Sequence, residues 1–248
     1  MNANHAADVV VDCFGMMHAP DQAGAVGRRA ARVSKGGVLF LQYHSLETIV
    51  RCGQWNALRH GHYAYYSTTA LSVMLARVGF APRQAWQFDL YGGTVLLAAS
   101  RAVDGHRAHE SVNALLARER NAGVCDPAIV SRLQDAMEAH AERLRDWLDD
   151  ACAQGRRVVG YGAASRAVAL LVRARVDAAL LPAVIDASPA KVGRRMAGTD
   201  IPILGPTHLR EKPHEVLVFV PDLVPEVRAA FPEVEDAGGR WVDAETLA

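Results

Sequence analysis

The stretch RHGHYAYYS, Arg59 to Ser67, sets His60 and His62 one residue apart and follows them with Tyr63, Tyr65 and Tyr66. Histidines at i and i+2 share one face of a strand, as in a metal clip. A zinc site needs further nitrogen, sulfur or carboxylate ligands, and none stands nearby in sequence, so no metal is expected here. An imidazole with an ordinary pKa near neutrality also serves as a proton acceptor at neutral pH. The bland alternative is a core histidine satisfied by its neighbours. The tyrosines fit packing under the helix that follows, with a hydroxyl reaching the site.

A second candidate is VVGYGAAS, in which Gly160 and Gly162 follow an apolar strand and Asp186 ends the next strand 26 residues on. Glycines in such a turn let the backbone approach a pyrophosphate at a helix N-terminus. Ser165 stands where the dinucleotide fingerprint has its third glycine. Three readings stay open: a nicotinamide site, a packing turn without ligand, and a turn that holds part of another nucleotide. Lys191, Arg194 and Arg195 follow the second strand, where an ammonium and two guanidinium forks would suit a diphosphate; a solvated basic turn is the alternative.

Positioning these residues requires two α/β blocks. From residue 1 to 102, ADVVVDCF reads as a buried strand, AGAVGRRAARV as an amphipathic helix, GGVLFLQYH as a strand and STTALSVMLARVGF as a helix ending at Gly79. RQAWQFDL, YGGT and VLLAASR then read as an antiparallel hairpin. Residues 103–155 are expected to form a helical linker, with Ile129, Leu133, Met137, Leu144, Leu148 and Cys152 as its apolar stripe. Residues 156–248 alternate strand and helix again, the pattern of a parallel sheet covered on its faces. A ligand is expected in a cleft between the two blocks.

Composition narrows the classes. Of 248 residues, 27 are lysine or arginine and 27 aspartate or glutamate, so no general field draws in nucleic acid or an anionic membrane. Cys13, Cys52, Cys125 and Cys152 form no C-x-x-C pair, which argues against a zinc or disulfide framework. No leader pattern and no membrane-length apolar run is present, and a cytoplasmic location is the expectation.

Read together, the motifs resemble the C-methyltransferases that act on nucleotide-linked deoxysugars, whose zinc domain, S-adenosylmethionine domain and C-terminal α/β domain follow one another. FGMMHAPD is similar to that family's A-H-x-P-D segment, RHGHYAYYSTTAL to its Y-H-E-H-x-x-Y-F-S-x-x-x-L segment and YGGT to its H-G-G-S hairpin. GYGAAS, DASPAKVG with AGTDIPI, and EVLVFVPD are similar to its glycine turn, its D-x-x-P-x-K-x-G followed by P-G-T-H-I-P, and its strand ending in P-W-N. The resemblance covers nearly the whole chain. It implies a partial class I methyltransferase, Rossmann-like sheet in residues 1–102 and a second Rossmann-like α/β domain in residues 156–248.

The resemblance also implies roles. His62 matches the base that removes a carbon-bound proton next to a keto group, so that the resulting enolate attacks a sulfonium methyl group in line. His18 matches a second active-site histidine that orients or polarises the sugar. Arg59, Tyr63, Tyr66, Gly160, Gly162, Ser165, Lys191 and Arg194 are then candidates for holding the nucleotide sugar. Four departures stand out: Arg59 replaces tyrosine, Gly61 the glutamate of H-E-H, Asp200 the histidine of P-G-T-H-I-P and Asp222 the asparagine of P-W-N.

S-adenosylmethionine is implied as cofactor, although the glycine turn and acidic residue that hold it in the family would precede Ala6. ADVVVDCF matches the fourth strand of the family's sheet and would lie at an exposed edge. The expectation is a chain that pairs with a separate polypeptide supplying the front half, forms a homo-oligomer, or descends from a shortened gene. Two other functions stay open: a noncatalytic nucleotide-sugar-binding or assembly subunit, and a nicotinamide-dependent oxidoreductase.

Overall fold

The computed structural model describes residues 6–103, 107–211, 215–220 and 223–247. Asp222, at the end of EVLVFVPD, lies outside the described residues. The chain divides into two compact units, Met1–Leu133 and Gln134–Ala248.

In the first unit, β1 (Ala7–Cys13) leads through a short 3-10 turn to α1 (Gln22–Ala30), which returns the chain to β2 (Val33–His44). β1 and β2 pair in parallel, with Val10 opposite Leu39. α2 (Leu46–Arg51) and α3 (Thr68–Arg77) precede the hairpin of β3 (Phe80–Phe88) and β4 (Thr94–Arg101). The hairpin inserts β4 beside β2, giving the order β1-β2-β4-β3 with antiparallel pairing at β2–β4 and β3–β4. α4 (Glu110–Ala122) follows. Leu39, Leu41, Leu71, Leu75, Val95 and Leu97 are fully enclosed between the sheet and its helices, each burial contributing roughly 1.5–3 kcal/mol.

The apolar run of ADVVVDCF alone suggests a buried strand, but β1 lies at the exposed edge that its match to the family's fourth strand implies. It stands at the sheet edge with Val9 56 % and Val11 58 % exposed, because β2 covers one side only. Its apolar run reflects strand propensity rather than enclosure.

α5 (Pro127–Ala153) spans the division between the units. Along it Leu133, Ala141, Leu144, Leu148 and Ala151 are buried while Cys152 is exposed. The stripe therefore drifts by one residue from the expected one at its end, as a 3.6-residue period requires over several turns.

The second unit is a parallel sheet of β5 (Val158–Tyr161), β6 (Val184–Ile185), β7 (Ile203–Leu204), β8 (Glu215–Val218) and β9 (Arg240–Asp243). Their order, β7-β6-β5-β8-β9, is doubly wound, and it reverses direction at β5. α6 (Ser165–Arg173) links β5 to β6, and α7 (Val224–Ala230) with α8 (Glu233–Asp236) links β8 to β9. At the amino ends of three strands Glu215, 3 % exposed at its side chain, accepts from Arg156 just before β5 and from Arg240 at the start of β9. Arg156 also lies over the Trp147 ring, 5.5 Å from its centroid. No helix among the described residues is long and apolar enough to cross a membrane.

Candidate active site

The first unit gathers His18, His44 and His62 near the carboxyl ends of β1 and β2. After β1 the chain turns sharply at Phe14, with φ 59°, and buried Met16 and Met17 seat the 3-10 turn that carries His18. The turn is held by its polar neighbours. Met16 N donates to Asp12 Oδ1 (3.0 Å), Arg29 Nε donates to Asp12 Oδ2 (2.6 Å), and Gln22 Nε2 donates to the Met16 carbonyl (3.1 Å).

The His62 segment is stitched to that turn. Tyr63 N donates to the Met17 carbonyl (2.7 Å), His18 Nδ1 donates to the Gly61 carbonyl (3.1 Å), and the buried Tyr66 hydroxyl donates to Gln22 Oε1. Burial, reinforced by the charge of Asp12 and opposed by Arg29 and Gln22, pushes the Tyr66 phenol up to about 12. Tyr66 is thus a protonated tie at neutral pH. Tyr63 is 65 % exposed and presents its ring outward, against the expectation that it packs under α3.

These ties bring His18 and His62, 44 positions apart in sequence, into edge-to-face contact with ring centroids 4.7 Å apart. His62 Nδ1 lies 2.7 Å from the Tyr65 hydroxyl. That hydroxyl donates to the Ala57 carbonyl (2.6 Å) and accepts from Arg59 N (2.8 Å). The basicity of His62 is lowered, first by burial and then by the positive charges of Arg59 and His18. A larger share of it is therefore free base at neutral pH than in an ordinary histidine. Arg59 is half-buried beside it.

His44, at the end of β2, joins the cluster unannounced by the sequence. Its ring is 6 % exposed, stacks on His62 at 6.4 Å and packs at 4.8 Å from Phe14 and 6.2 Å from Tyr91. Phe14 and Tyr91 meet edge-on at 5.9 Å. Both have positive φ, 59° and 54°, a strained conformation for such residues that clusters at working sites. The cysteines, by contrast, are scattered and free. Among the described residues no group of three or more His, Cys, Asp or Glu side chains is placed to hold a metal ion.

Gly61, where the resembling family has glutamate, has φ +90° and open space around the position of a β-carbon. The backbone here takes a shape natural to glycine, and its carbonyl serves His18.

In the second unit the glycine turn is packed. A β-carbon on Gly160 would come within 2.7 Å of the Phe219 ring and 3.0 Å of Val184, and Gly162, at φ +95°, would meet Val220 at 2.8 Å. Asp186 closes the turn rather than facing outward, accepting from Ala163 N (2.8 Å), Ser188 N (2.8 Å) and Lys191 Nζ (2.9 Å). Burial disfavours its ionisation, but these hydrogen bonds and the Lys191 charge outweigh it and hold the carboxyl below its ordinary range. A dinucleotide ribose would need that carboxylate, which is already engaged. Ser165 opens α6, Lys191 is tied to Asp186, and Arg194 is exposed.

Comparison with known proteins follows the same line. The chain is 25 % identical over 231 residues to the C-methyltransferase NovU of Streptomyces niveus, a match covering 93 % of this chain and 54 % of that protein. The chain thus spans about half the length of this curated relative. Among solved structures, the magnesium protoporphyrin IX methyltransferase ChlM of Synechocystis PCC 6803 with bound SAH is 14 % identical over 40 % of this chain and 46 % of that one, with a TM-score of 0.31, too partial a likeness to carry an argument. The family described as C-methyltransferase C-terminal domain matches residues 89–244. Since that match takes in more than half of the chain, the protein belongs to the C-methyltransferase C-terminal domain family.

Proposed function

We propose that the chain serves S-adenosylmethionine-dependent C-methylation of a nucleotide-linked keto-deoxysugar, with His62 as the base that removes the carbon-bound proton. On this reading the first unit is the rear of a methyltransferase domain and the second the family's C-terminal domain. The observation that carries the reading is the pairing of His18 and His62 at 4.7 Å, each tethered through Nδ1.

With Nδ1 engaged in donation, the His62 Nε2 lone pair takes the proton, and the C–H electron pair passes into an enolate. His18, its Nδ1–H donated to the Gly61 carbonyl, lies edge-on to His62 and orients the sugar. Arg59 opposes build-up of positive charge on His62 and favours its return to the free base. Tyr63 offers an exposed ring for the sugar or base, and Tyr66 holds the two loops together.

S-adenosylmethionine, when bound, supplies the methyl group. The rings of Phe14, His44 and Tyr91 beside His62 fit a sulfonium, which aromatic faces attract. Adenosine fits less well: Asp12, the acid nearest the end of β1, is engaged by Arg29 and Met16 N. Within the second unit taken by itself, exposed Arg194, Lys191 and the turn of Gly160, Gly162 and Ser165 are the candidates for holding a phosphate group.

Gly61 favours a second reading, a noncatalytic nucleotide-sugar-binding subunit, because glycine stands where the resembling family has the glutamate of H-E-H. One experiment separates the two. The chain is incubated with a nucleotide-linked keto-deoxysugar in deuterium oxide, and exchange at the carbon next to the keto group is followed by NMR. The base reading expects exchange that His62→Gln abolishes while sugar affinity is kept. Binding without exchange supports the second reading, and undiminished exchange in His62→Gln removes His62 from the role.

A further inference from the structure

We infer that Tyr65 is a positioning residue that fixes the tautomer of His62, keeping the ring proton on Nδ1 and turning the Nε2 lone pair to the cluster of rings. The number of protons around the Tyr65 hydroxyl sets the direction of each bond. A tyrosine hydroxyl has one proton to give and two lone pairs to receive with. The Ala57 carbonyl, 2.6 Å away, only accepts, so it takes the Tyr65 proton. Arg59 N, 2.8 Å away, only donates, so it fills one lone pair. His62 Nδ1, at 2.7 Å, therefore meets the remaining lone pair and must bring its own proton.

The reverse arrangement fails on the same count. Were Tyr65 to donate to His62, the Ala57 carbonyl would face a hydroxyl oxygen at 2.6 Å with no proton between them. Leaving a buried acceptor unmet while crowding two lone pairs biases the tautomers by at least about tenfold. The surroundings hold Tyr65 in place: Ala57 and Trp55 are buried in the turn before Arg59, and Tyr66 and Ser67 are buried just after it.

The use of this tautomer in proton removal rests on the reading of His62 as base, but the tautomer itself does not. The other ring neighbours of His62 are imidazoles: His18, whose Nδ1 is engaged by Gly61, and His44, which is stacked on it. Arg59 adds a positive charge at the same place. None of these is an acceptor that fixes the His62 Nδ1 proton as the Tyr65 oxygen does.

The test uses the full chain labelled with nitrogen-15 histidine, at neutral pH, with His62 assigned by its disappearance in His62→Gln. The expected spectrum has His62 Nε2 as the unprotonated, pyridine-type nitrogen and Nδ1 as the protonated one. Tyr65→Phe keeps the ring and removes the oxygen, and the Nδ1–H preference should then fall by about tenfold. In the deuterium-exchange assay the same variant should lose kcat by a similar factor with KM little changed. A wild-type His62 protonated at Nε2, or a ratio unmoved in Tyr65→Phe, overturns the inference, and the wild-type spectrum alone decides it if the variant does not fold. The expected tautomer together with undiminished exchange in His62→Gln would leave the inference standing and remove the base reading.

Discussion

Replacing Glu119 by alanine should unfasten the helix on which the His62 segment is anchored. Glu119, on α4, is 2 % exposed and points at the start of α3, accepting from Thr68 N (2.5 Å), Thr69 N (2.8 Å) and Thr69 Oγ1 (2.7 Å). Those amides are among the first of a helix and lack partners within it, and Ser67 reaches only Ala70 N. Alanine leaves two amides without an acceptor, at roughly 1–3 kcal/mol each. It also removes a negative charge from the positive end of the helix dipole, about 0.3–1 kcal/mol more. Allowing for water at the partly open Thr69, the loss comes to about 3 kcal/mol, or on the order of 100-fold in local opening. Glu119→Gln keeps one acceptor oxygen but turns an amino group toward a donor, and should lose about half as much. Hydrogen-exchange mass spectrometry over residues 66–77 reads the opening directly. Exchange in Glu119→Ala within about threefold of wild type would refute the reasoning, because bonds worth only ~0.6 kcal/mol could not be the anchor.

The pH dependence of deuterium exchange should show a single acid limb below the ordinary histidine range, since burial and the charges of Arg59 and His18 lower the basicity of His62. Arg59→Gln should move that limb to higher pH, and an unmoved limb would dismiss the role of Arg59. Asp186 is held below the ordinary carboxylate range, so its stabilisation is present above that range and is lost as pH falls through its folded value. Asp186→Asn should cost about 2 kcal/mol at neutral pH and abolish that acid dependence, as read by urea unfolding of the second unit. Gly160→Ala should cost roughly 1–3 kcal/mol by overpacking against Phe219, whereas Gly61→Ala, in open space at φ +90°, should cost about 1–2 kcal/mol of backbone strain. Equal urea midpoints for wild type and Gly160→Ala would contradict the packed turn.

Long elements were legible because their periods repeat. β2 and α3 carry enough alternation and enough capping, Ser67 to Ala70 N in the latter, to be read from the chain alone. β6 is legible in the apolar run LLPAVIDAS although it pairs over only two residues, whereas β7, equally short, follows a polar turn and offers no period to register. α4 falls inside the expected helical stretch 103–155 but does not stand out as a helix of its own: Val112, Leu115 and Glu119 are its buried residues, so a carboxylate interrupts the apolar stripe. His18 and His62 were legible through motif resemblance. His44, Phe14 and Tyr91 were not, because each ends a different strand or turn and only the sheet order places them side by side. The positive φ of Phe14 and Tyr91 leaves no mark on residue type.

The carboxylate of Glu215, gripped by Arg156 and Arg240, bears on how the second unit responds to heat. Hydration of charged groups grows less favourable as temperature rises, so enclosing this trio becomes cheaper while apolar burial levels off. Strands β5, β8 and β9 share the latch, whereas β6 and β7 hang on the other side of β5 by two residues each. Warming should therefore fray the sheet from β7 inward, so that the glycine turn is expected to lose its β6 neighbour, with Asp186 at its end, before it loses β8.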